Sequence, residues 1–235
     1  MGLTLASPQE DEFALCGSSL RSCCMQWVFP RQKEKFRKYL TLRAADEADL
    51  AAWREAFLVF LKKLQWRYGR PLLLKSPQHT ARIGLLLELF PEAKFVHIHR
   101  NPFHVFQSSR ESFRILFTWN SLQRPDLETL DDWVLGQYRE MYDAFFEQKP
   151  LIPAGRFHEL SFEDLERDPI GQVRGLYEAL DLPDFSQIEP KLRRYVESLA
   201  GYRKNRFSDL PAELKQRIRT EWSVCFEKWG YQNQP

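Results

Sequence analysis

The chain has 235 residues, of which 43% are hydrophobic and 28% are charged, and its net charge is +2. This composition is typical of a globular protein that buries a sizeable core without disulfides or metals, and it excludes collagen-like and glycine-rich disordered chains. The near balance of 34 basic and 32 acidic residues argues against a general nucleic-acid binder. No apolar run reaches the roughly 18 residues that a membrane span needs.

The N-terminal residues and the cysteines indicate a reduced, cytoplasmic protein. The opening MGLTLASPQEDEF has no basic region followed by a long apolar stretch, so we expect no signal peptide. Four cysteines, at positions 16, 23, 24 and 225, form no CxxC pair and are interpreted as reduced core residues. The acidic block Glu10-Asp11-Glu12, beside Phe13, needs a reason if it is buried.

Three stretches repeat one local pattern: an apolar or alternating run that predicts a strand, a capping residue with proline, and a helical period. In the first, the predicted strand 71–75 is followed by Ser76-Pro77 and a helix over 78–90. In the second, the strand 94–100 is followed by Asn101-Pro102 and a helix from 103 to about 113. In the third, the strand 156–162 precedes Asp168-Pro169, which opens a helix to about 180. Ser, Asn and Asp side chains accept bonds from free helix N–H groups, and proline suits the first helical position.

The spacing of these units predicts a parallel sheet. Ser76 and Asn101 lie 25 residues apart, the length of a compact helix-and-strand unit. Strands and helices alternating at that pitch form parallel strands with right-handed crossovers. Three further apolar stripes predict core-facing helices, over 50–64 with a stop at Gly69, over 134–145, and over 214–229.

Arg100 and Ser108 are the first candidates for chemistry. Parallel sheets bind ligands at the carboxyl ends of their strands, where Arg100 is expected. The helix that starts after it presents N–H groups and a dipole that favour an anion, and Ser108 follows two turns later. A phosphate bracketed by these groups is one interpretation. An Arg paired with a carboxylate, beside a solvated Ser, is the other.

Lys75 and His79 form a second candidate pair at the end of another predicted strand. Lys75 suits an anion, and His79 suits a general base because imidazole titrates near neutral pH. The alternative is an exposed Lys and a locally bonded His. A basic run, Arg203-Lys204-Asn205-Arg206, precedes the last predicted helix, and such runs are commonly solvated surface.

Taken together, these motifs resemble the sulfotransferases that use 3′-phosphoadenylyl sulfate (PAPS). LLLKSPQHTARIGLLLELFPEAKFVHIHRNPFHVFQSS resembles the central core of that family, LSFEDLERDP its YEDL-type segment, GYRKNRF its late basic loop, and PQEDEFALC the acidic block of its bacterial-type branch. The resemblance covers most of residues 8 to 231. It implies that Arg100 and Ser108 hold the 3′-phosphate and that Arg203, Lys204 and Asn205 belong to the loop that closes over the nucleotide.

The resemblance also predicts the fold: one α/β domain over 1–235 with a P-loop-NTPase-like parallel sheet flanked by helices. The family begins with a strand and a PRSGTT-type loop that cradles the 5′-phosphosulfate, and the sequence contains no such loop. We therefore expect the first βα unit to be missing. Either the start is misassigned or the chain is a truncated paralogue that transfers sulfate poorly.

The expected activity is sulfuryl transfer from PAPS to a hydroxyl or amine acceptor, which is a small molecule, a glycan or a lipid. Lys75 stabilises charge near the sulfuryl group, and His79, Glu10 or Glu12 takes the acceptor proton. No metal, nucleic acid or membrane span is expected. A kinase on the same scaffold would need a GxxxxGK[ST] loop, which the sequence lacks. A non-catalytic nucleotide-binding or interaction protein is the remaining alternative.

Overall fold

A computed structural model describes residues 7–205 and 207–232. In chain order the helices and strands are α1 Asp11–Ser19, α2 Met25–Val28, α3 Lys33–Arg37, α4 Glu47–Tyr68, α5 Ile83–Leu89, β1 Phe95–His99, α6 Pro102–Asn120, α7 Leu130–Gln148, β2 Phe157–Ser161, α8 Phe162–Arg167, α9 Pro169–Ala179, α10 Phe185–Ser198, α11 Ala212–Glu221 and α12 Ser223–Lys228. Short 3₁₀ turns cover Pro30–Gln32, Pro77–Ala81 and Lys149–Leu151.

Two compact units, each built from two stretches of chain, make up the described structure. The first comprises the residues up to Ile83 together with Arg110–Glu147, and the second comprises Gly84–Ser109 together with the residues from Gln148 onward. The expectation of one domain over 1–235 stays a prediction. No helix of the described residues is both long enough and apolar enough to cross a membrane.

The second unit contains the parallel pair of strands that the sequence predicts. β1 and β2 run parallel, with Phe95 opposite Phe157 and His99 opposite Ser161. In the same unit, the ring centroids of Phe103 and Phe226 lie 5.0 Å apart, and those of Phe106 and Trp222 lie 5.8 Å apart. The predicted α/β class with parallel strands flanked by helices is therefore confirmed.

The first unit packs α1 against α4. Trp53 and Phe57 of α4 are fully buried, and their rings stack with centroids 4.9 Å apart. Leu15 of α1 is also fully buried. All four cysteines are free thiols, and Cys23, Cys24 and Cys225 are buried.

Several helices begin or end where a local residue accommodates the free backbone groups of the helix terminus. Asp46 caps α4 by accepting a bond from the N–H of Asp49 at 2.8 Å, and Gly69 ends that helix in the left-handed region at φ +57°. Asn101 caps α6 through a 2.9 Å bond from the N–H of Phe103. The predicted starts of α6 and α9 and the predicted stop of α4 are confirmed. α6 continues to Asn120, beyond the predicted end near residue 113.

Residues 71–75 do not form the predicted strand. They adopt no regular structure, and Leu73 is 94% exposed. A strand exists only when a neighbour takes up its backbone N–H and C=O groups, and no described strand pairs with this stretch. The prediction was wrong because an apolar run reports side-chain character but not the presence of a partner.

Two predicted helices are interrupted at a buried residue. The helix expected over 78–90 is a 3₁₀ turn followed by α5, with Arg82 between them at φ −124° and ψ 23°. The helix expected over 214–229 divides into α11 and α12 at Trp222, which is 2% exposed and has φ −112°. In each case a large side chain is buried at the point where the backbone leaves the helical path.

The N-cap of α9 allows the contribution of a capping side chain to be measured. Asp168 Oδ1 accepts a 2.9 Å bond from the N–H of Gly171, and a Cβ added at Gly171 would lie 2.0 Å from Asp168 Oδ2. Gly171→Ala must displace the capping carboxylate, a loss of about 0.5–2 kcal/mol, while it gains about 1 kcal/mol of helix propensity.

We therefore expect Gly171→Ala to stabilise the Asp168→Ala variant and to leave the wild-type chain unchanged or less stable. Urea unfolding of the four chains measures this coupling, expected at about 0.5–2 kcal/mol. Equal effects of Gly171→Ala in both backgrounds would contradict it.

Candidate active site

The acidic block at the start of α1 meets the 3₁₀ turn Pro77–Ala81 within the first unit. His79 Nε2 lies 2.7 Å from Asp11 Oδ2, and the Ser76 hydroxyl donates to Asp11 Oδ1 at 2.8 Å. The same hydroxyl accepts a 3.1 Å bond from the backbone N–H of Glu12. Ser76 does not cap the following turn as predicted, because its hydroxyl is committed to the acidic block.

The charge state of Asp11 determines the orientation of the proton on His79. Burial raises the pKa of Asp11, but the bonds from His79 and Ser76 outweigh it and hold the pKa below its usual range. A carboxylate only accepts hydrogen bonds, so Nε2 of His79 carries the proton shared with Asp11. Nδ1 of His79 is buried and has no hydrogen-bond partner among the described residues.

Glu12 is held by a fully buried ion pair with Arg82. Their side chains are 0% exposed, and the Arg82 guanidinium donates to Glu12 Oε2 at 2.7 Å and to Oε1 at 3.3 Å. Ser22 donates to Glu12 Oε1 at 2.7 Å, while Arg82 also donates to the carbonyls of Leu40 and Tyr39. Both oxygens of Glu12 are therefore engaged.

Lys75 and Glu10 form the outer edge of the same cluster. Their ammonium and carboxylate are in direct contact, with 75% of the Lys75 side chain and 22% of the Glu10 side chain exposed. The structure thus brings the four predicted catalytic residues, Lys75, His79, Glu10 and Glu12, into one connected set. Their roles in chemistry stay predictions.

Sequence reasoning passed over two members of this cluster, Asp11 and Arg82. Arg82 lies within the apolar stretch 81–90, where a cation on a buried face requires an acidic partner. The acidic block equally required a partner if buried. A buried cation and a buried acidic block, each of which requires an opposite charge, together could have predicted the ion pair between Arg82 and Glu12.

Arg100 in the second unit makes no direct ion pair with a described carboxylate, although its charge contributes to lowering the pKa of Glu163. It follows β1 directly, and its guanidinium carbon lies 4.4 Å from the ring centroid of Phe162. Its Nε is buried without a hydrogen-bond partner in the described part of the chain. The carboxylate-paired arginine, one of the two interpretations of the sequence, is not found among these residues.

The start of α6 lies directly after Arg100. The N–H of Asn101 donates to Glu163 Oε1 at 3.1 Å, and the Tyr231 hydroxyl donates to Glu163 Oε2 at 2.7 Å. Burial raises the pKa of Glu163, but these bonds lower it to below its usual range. Ser108 is half-buried two turns into α6, and its hydroxyl has no bond to another described residue.

The predicted basic loop lies between α10 and α11 and is exposed over Arg203, Lys204 and Asn205, whereas Arg206 lies outside the described residues. Lys204 pairs with Glu166 at 2.5 Å. Gln107 of α6 donates to the carbonyl of Ser208 at 2.7 Å, which ties the end of the loop to α6.

His104 of α6 reports the electrostatics of this region. Burial lowers the pKa of its imidazole, and the positive charges of Arg100 and Lys204 lower it further. Arg100 and Lys204 therefore act on the same part of α6. Arg203 and Asn205 make no hydrogen bond or ion pair with another described residue.

Removing one partner of the buried ion pair should destabilise the chain strongly. Arg82→Met leaves the Glu12 carboxylate and two backbone carbonyls without their donor, and the expected loss is about 3–5 kcal/mol. Arg43→Met is the matched control, because Arg43 pairs with Glu147 at 2.9 Å on the surface of the same unit and should cost about 0–1 kcal/mol. Urea unfolding measures the free energy of unfolding of both variants. Similar losses would contradict the prediction, because the buried pair would then stabilise the chain no more than a surface pair does.

Comparisons with known proteins bear on the family and the fold of the chain. A model of the sulfotransferase family matches residues 6–187. Relatives from Mycobacterium bovis and Mycobacterium tuberculosis, each named omega-hydroxy-beta-dihydromenaquinone-9 sulfotransferase Stf3, are 36% identical to this chain over 231 residues. The crystal structure of sulfotransferase STF9 from Mycobacterium avium superposes with a TM-score of 0.75 at 21% identity, covering 94% of this chain and 56% of that one.

The aligned regions cover 98% of this chain and 59% of each mycobacterial relative, so the chain spans about three fifths of their length. The structural match shows that the fold is the P-loop-like α/β fold of a sulfotransferase, as the sequence predicts. Because the family model covers more than half of the chain and the relatives are 36% identical along nearly all of it, the chain belongs to the sulfotransferase family.

Proposed function

We propose that this chain carries out sulfuryl transfer from PAPS to the hydroxyl group of an acceptor. The observation that carries the proposal is the Asp11–His79 pair beside Lys75, in a chain of the sulfotransferase family. This cluster offers a proton acceptor, a carboxylate that orients it and a cation close by. Those are the groups that transfer of an anionic sulfuryl group requires.

The 3′-phosphate of the donor is assigned to Arg100, Ser108 and the first turn of α6. The buried Nε of Arg100, which has no hydrogen-bond partner among the described residues, supports this, since that donor remains available to a ligand. The uncommitted hydroxyl of Ser108 is in keeping with the same role. Arg203, Lys204 and Asn205 extend the positive charge and cover the nucleotide.

His79 takes the acceptor proton. The acceptor oxygen attacks sulfur, the bond between sulfur and the 5′-phosphate oxygen breaks, and the electron pair leaves with adenosine 3′,5′-bisphosphate. The proton moves to Nδ1 of His79, the atom that has no described partner, while Asp11 stabilises the resulting imidazolium. Lys75 stabilises charge on the transferred group.

Glu10 and Glu12 take supporting roles in this proposal. Glu12 is a poor base because Arg82 and Ser22 occupy its oxygens. Glu10 pairs with Lys75 and holds it at the edge of the cluster. Because Glu10 is the more accessible carboxylate, it is the competitor that the experiment must separate from His79.

The acceptor is assigned to the class of lipid alcohols. The mycobacterial relatives are named for a hydroxylated dihydromenaquinone, a lipid that carries a terminal hydroxyl group. A non-catalytic nucleotide-binding protein is the second candidate. The observation that favours it is that each carboxylate of the acidic block already has a partner within the chain: Glu10 contacts Lys75, Asp11 contacts His79 and Glu12 contacts Arg82.

Nucleotide binding is the first test, since it does not depend on turnover. Isothermal titration with adenosine 3′,5′-bisphosphate should give an affinity that falls at least about tenfold for Arg100→Ala, because a charged hydrogen bond contributes about 1.5–3 kcal/mol. Arg193→Ala, which removes an exposed arginine paired with Glu189 in the same unit, is the control and should bind like wild type. Equal affinity for wild type and Arg100→Ala would remove Arg100 from the site.

Transfer of radiolabelled sulfate from PAPS to a long-chain alcohol tests the base. His79→Gln should lower the rate by about 10²–10⁴, the usual contribution of a general base, with nucleotide affinity unchanged. Asp11→Asn should also lower the rate, because an amide does not stabilise the imidazolium. If Glu10→Gln abolishes transfer and His79→Gln does not, Glu10 is the base. Nucleotide binding without measurable transfer in wild type would support the non-catalytic candidate.

A further inference from the structure

The last two turns of α4 and the residue that follows its stop carry an exposed patch of basic and aromatic side chains. We define this α4 patch by Lys62, Lys63, Trp66, Arg67, Tyr68 and Arg70. Trp66 is 89% exposed and Tyr68 is 54% exposed. Exposed apolar rings that lie together, rimmed by charged side chains, mark an interaction surface.

The charges of the patch are uncompensated. Lys62, Lys63, Arg67 and Arg70 make no ion pair with any described residue. The guanidinium carbons of Arg67 and Arg70 lie 5.7 Å and 5.5 Å from the centroid of the Tyr68 ring. No Asp or Glu occurs between Glu55 and Glu88, so the local sequence supplies only positive charge.

The helical period gathers these side chains on the surface away from the core. The buried stripe of α4 is Trp53, Phe57 and Leu61. Lys62 and Lys63 lie four and three residues before Trp66, so they neighbour it on the outer face. The result is an indole flanked by two ammonium groups, with Arg67, Tyr68 and Arg70 just beyond.

From this arrangement we propose that the α4 patch binds the surface of an anionic lipid bilayer. Trp and Tyr place their rings at the headgroup level, while lysine and arginine pair with anionic lipids around them. Lipid headgroups satisfy both halves of the patch at once, the exposed rings and the unpaired cations. The net charge of only +2 disfavours duplex nucleic acid as the occupant.

The location of the patch connects it to the proposed chemistry. Residues 70–75 have no helix or strand and run from the patch to Lys75 of the candidate catalytic cluster. An enzyme that sulfates a lipid alcohol must reach a substrate dissolved in a membrane, and the patch would hold the cluster at its surface. This delivery role rests on the proposed function, whereas bilayer binding itself does not.

Flotation of the 235-residue chain with vesicles tests the proposal. The chain should float with phosphatidylcholine vesicles that contain phosphatidylglycerol and remain behind with phosphatidylcholine alone. The double variant Lys62→Gln, Lys63→Gln should lower the partition coefficient roughly 30-fold at low salt, about fivefold for each basic residue. Screening at high salt should shrink this difference. Trp66→Ala should lose binding at both salt concentrations, because the indole contribution is not ionic.

The control is Lys191→Gln, Lys228→Gln, which makes the same change of net charge at exposed lysines outside the patch and should float like wild type. No flotation of wild type, or equal losses for the patch and control variants, would overturn the proposal. Binding of duplex DNA that depends on the patch, with vesicle binding that does not, would overturn it too. The affinity for adenosine 3′,5′-bisphosphate should be the same in every variant. Loss of vesicle binding can therefore be distinguished from failure of the nucleotide site.

Discussion

The buried ion pair between Arg82 and Glu12 is the constraint on which the candidate catalytic cluster depends. Two charges out of contact with water are tolerated only when each has a partner and the remaining hydrogen-bonding capacity is used. Ser22 completes the shell of Glu12, and two backbone carbonyls complete that of Arg82. Because Asp11 precedes Glu12 and His79 lies three residues before Arg82, the pair also fixes the distance at which Asp11 meets His79.

Arg82 and Arg100 show two opposite uses of an arginine. Arg82 is fully neutralised inside the first unit, so its charge serves the fold. Arg100 stacks on Phe162 and keeps a buried Nε without a described hydrogen-bond partner, while its charge acts on Glu163 without a direct ion pair. The proposed assignment of the 3′-phosphate to Arg100 rests on this difference, because a phosphate can accept a hydrogen bond from a guanidinium that no described carboxylate contacts directly.

Local chemistry in the sequence was sufficient for the starts of α6 and α9 and for the stop of α4, but not for every helix end. Asp46, Asn101 and Asp168 bond to backbone N–H groups two or three residues ahead, so their effect is decided within one turn. The sequence also predicted both β1 and β2 as strands and predicted a parallel sheet, but it did not predict that these two strands pair with each other. The stretch 71–75 shows the limit of this reasoning, since a strand is defined by a neighbour that its own residues do not reveal.

The sequence alone indicated the family through its resemblance to known motifs, and it indicated the starts of α6 and α9 and the stop of α4, because those helix ends follow from residue types at short spacing. Only the tertiary structure decided that Asp11, rather than Glu10 or Glu12, contacts His79, and that Arg82 breaks a predicted helix to reach Glu12. Those contacts join residues about 70 positions apart in the chain. Which of three adjacent carboxylates faces the histidine depends on how α1 is rotated against its neighbours, and burial of the Arg82–Glu12 pair sets that rotation.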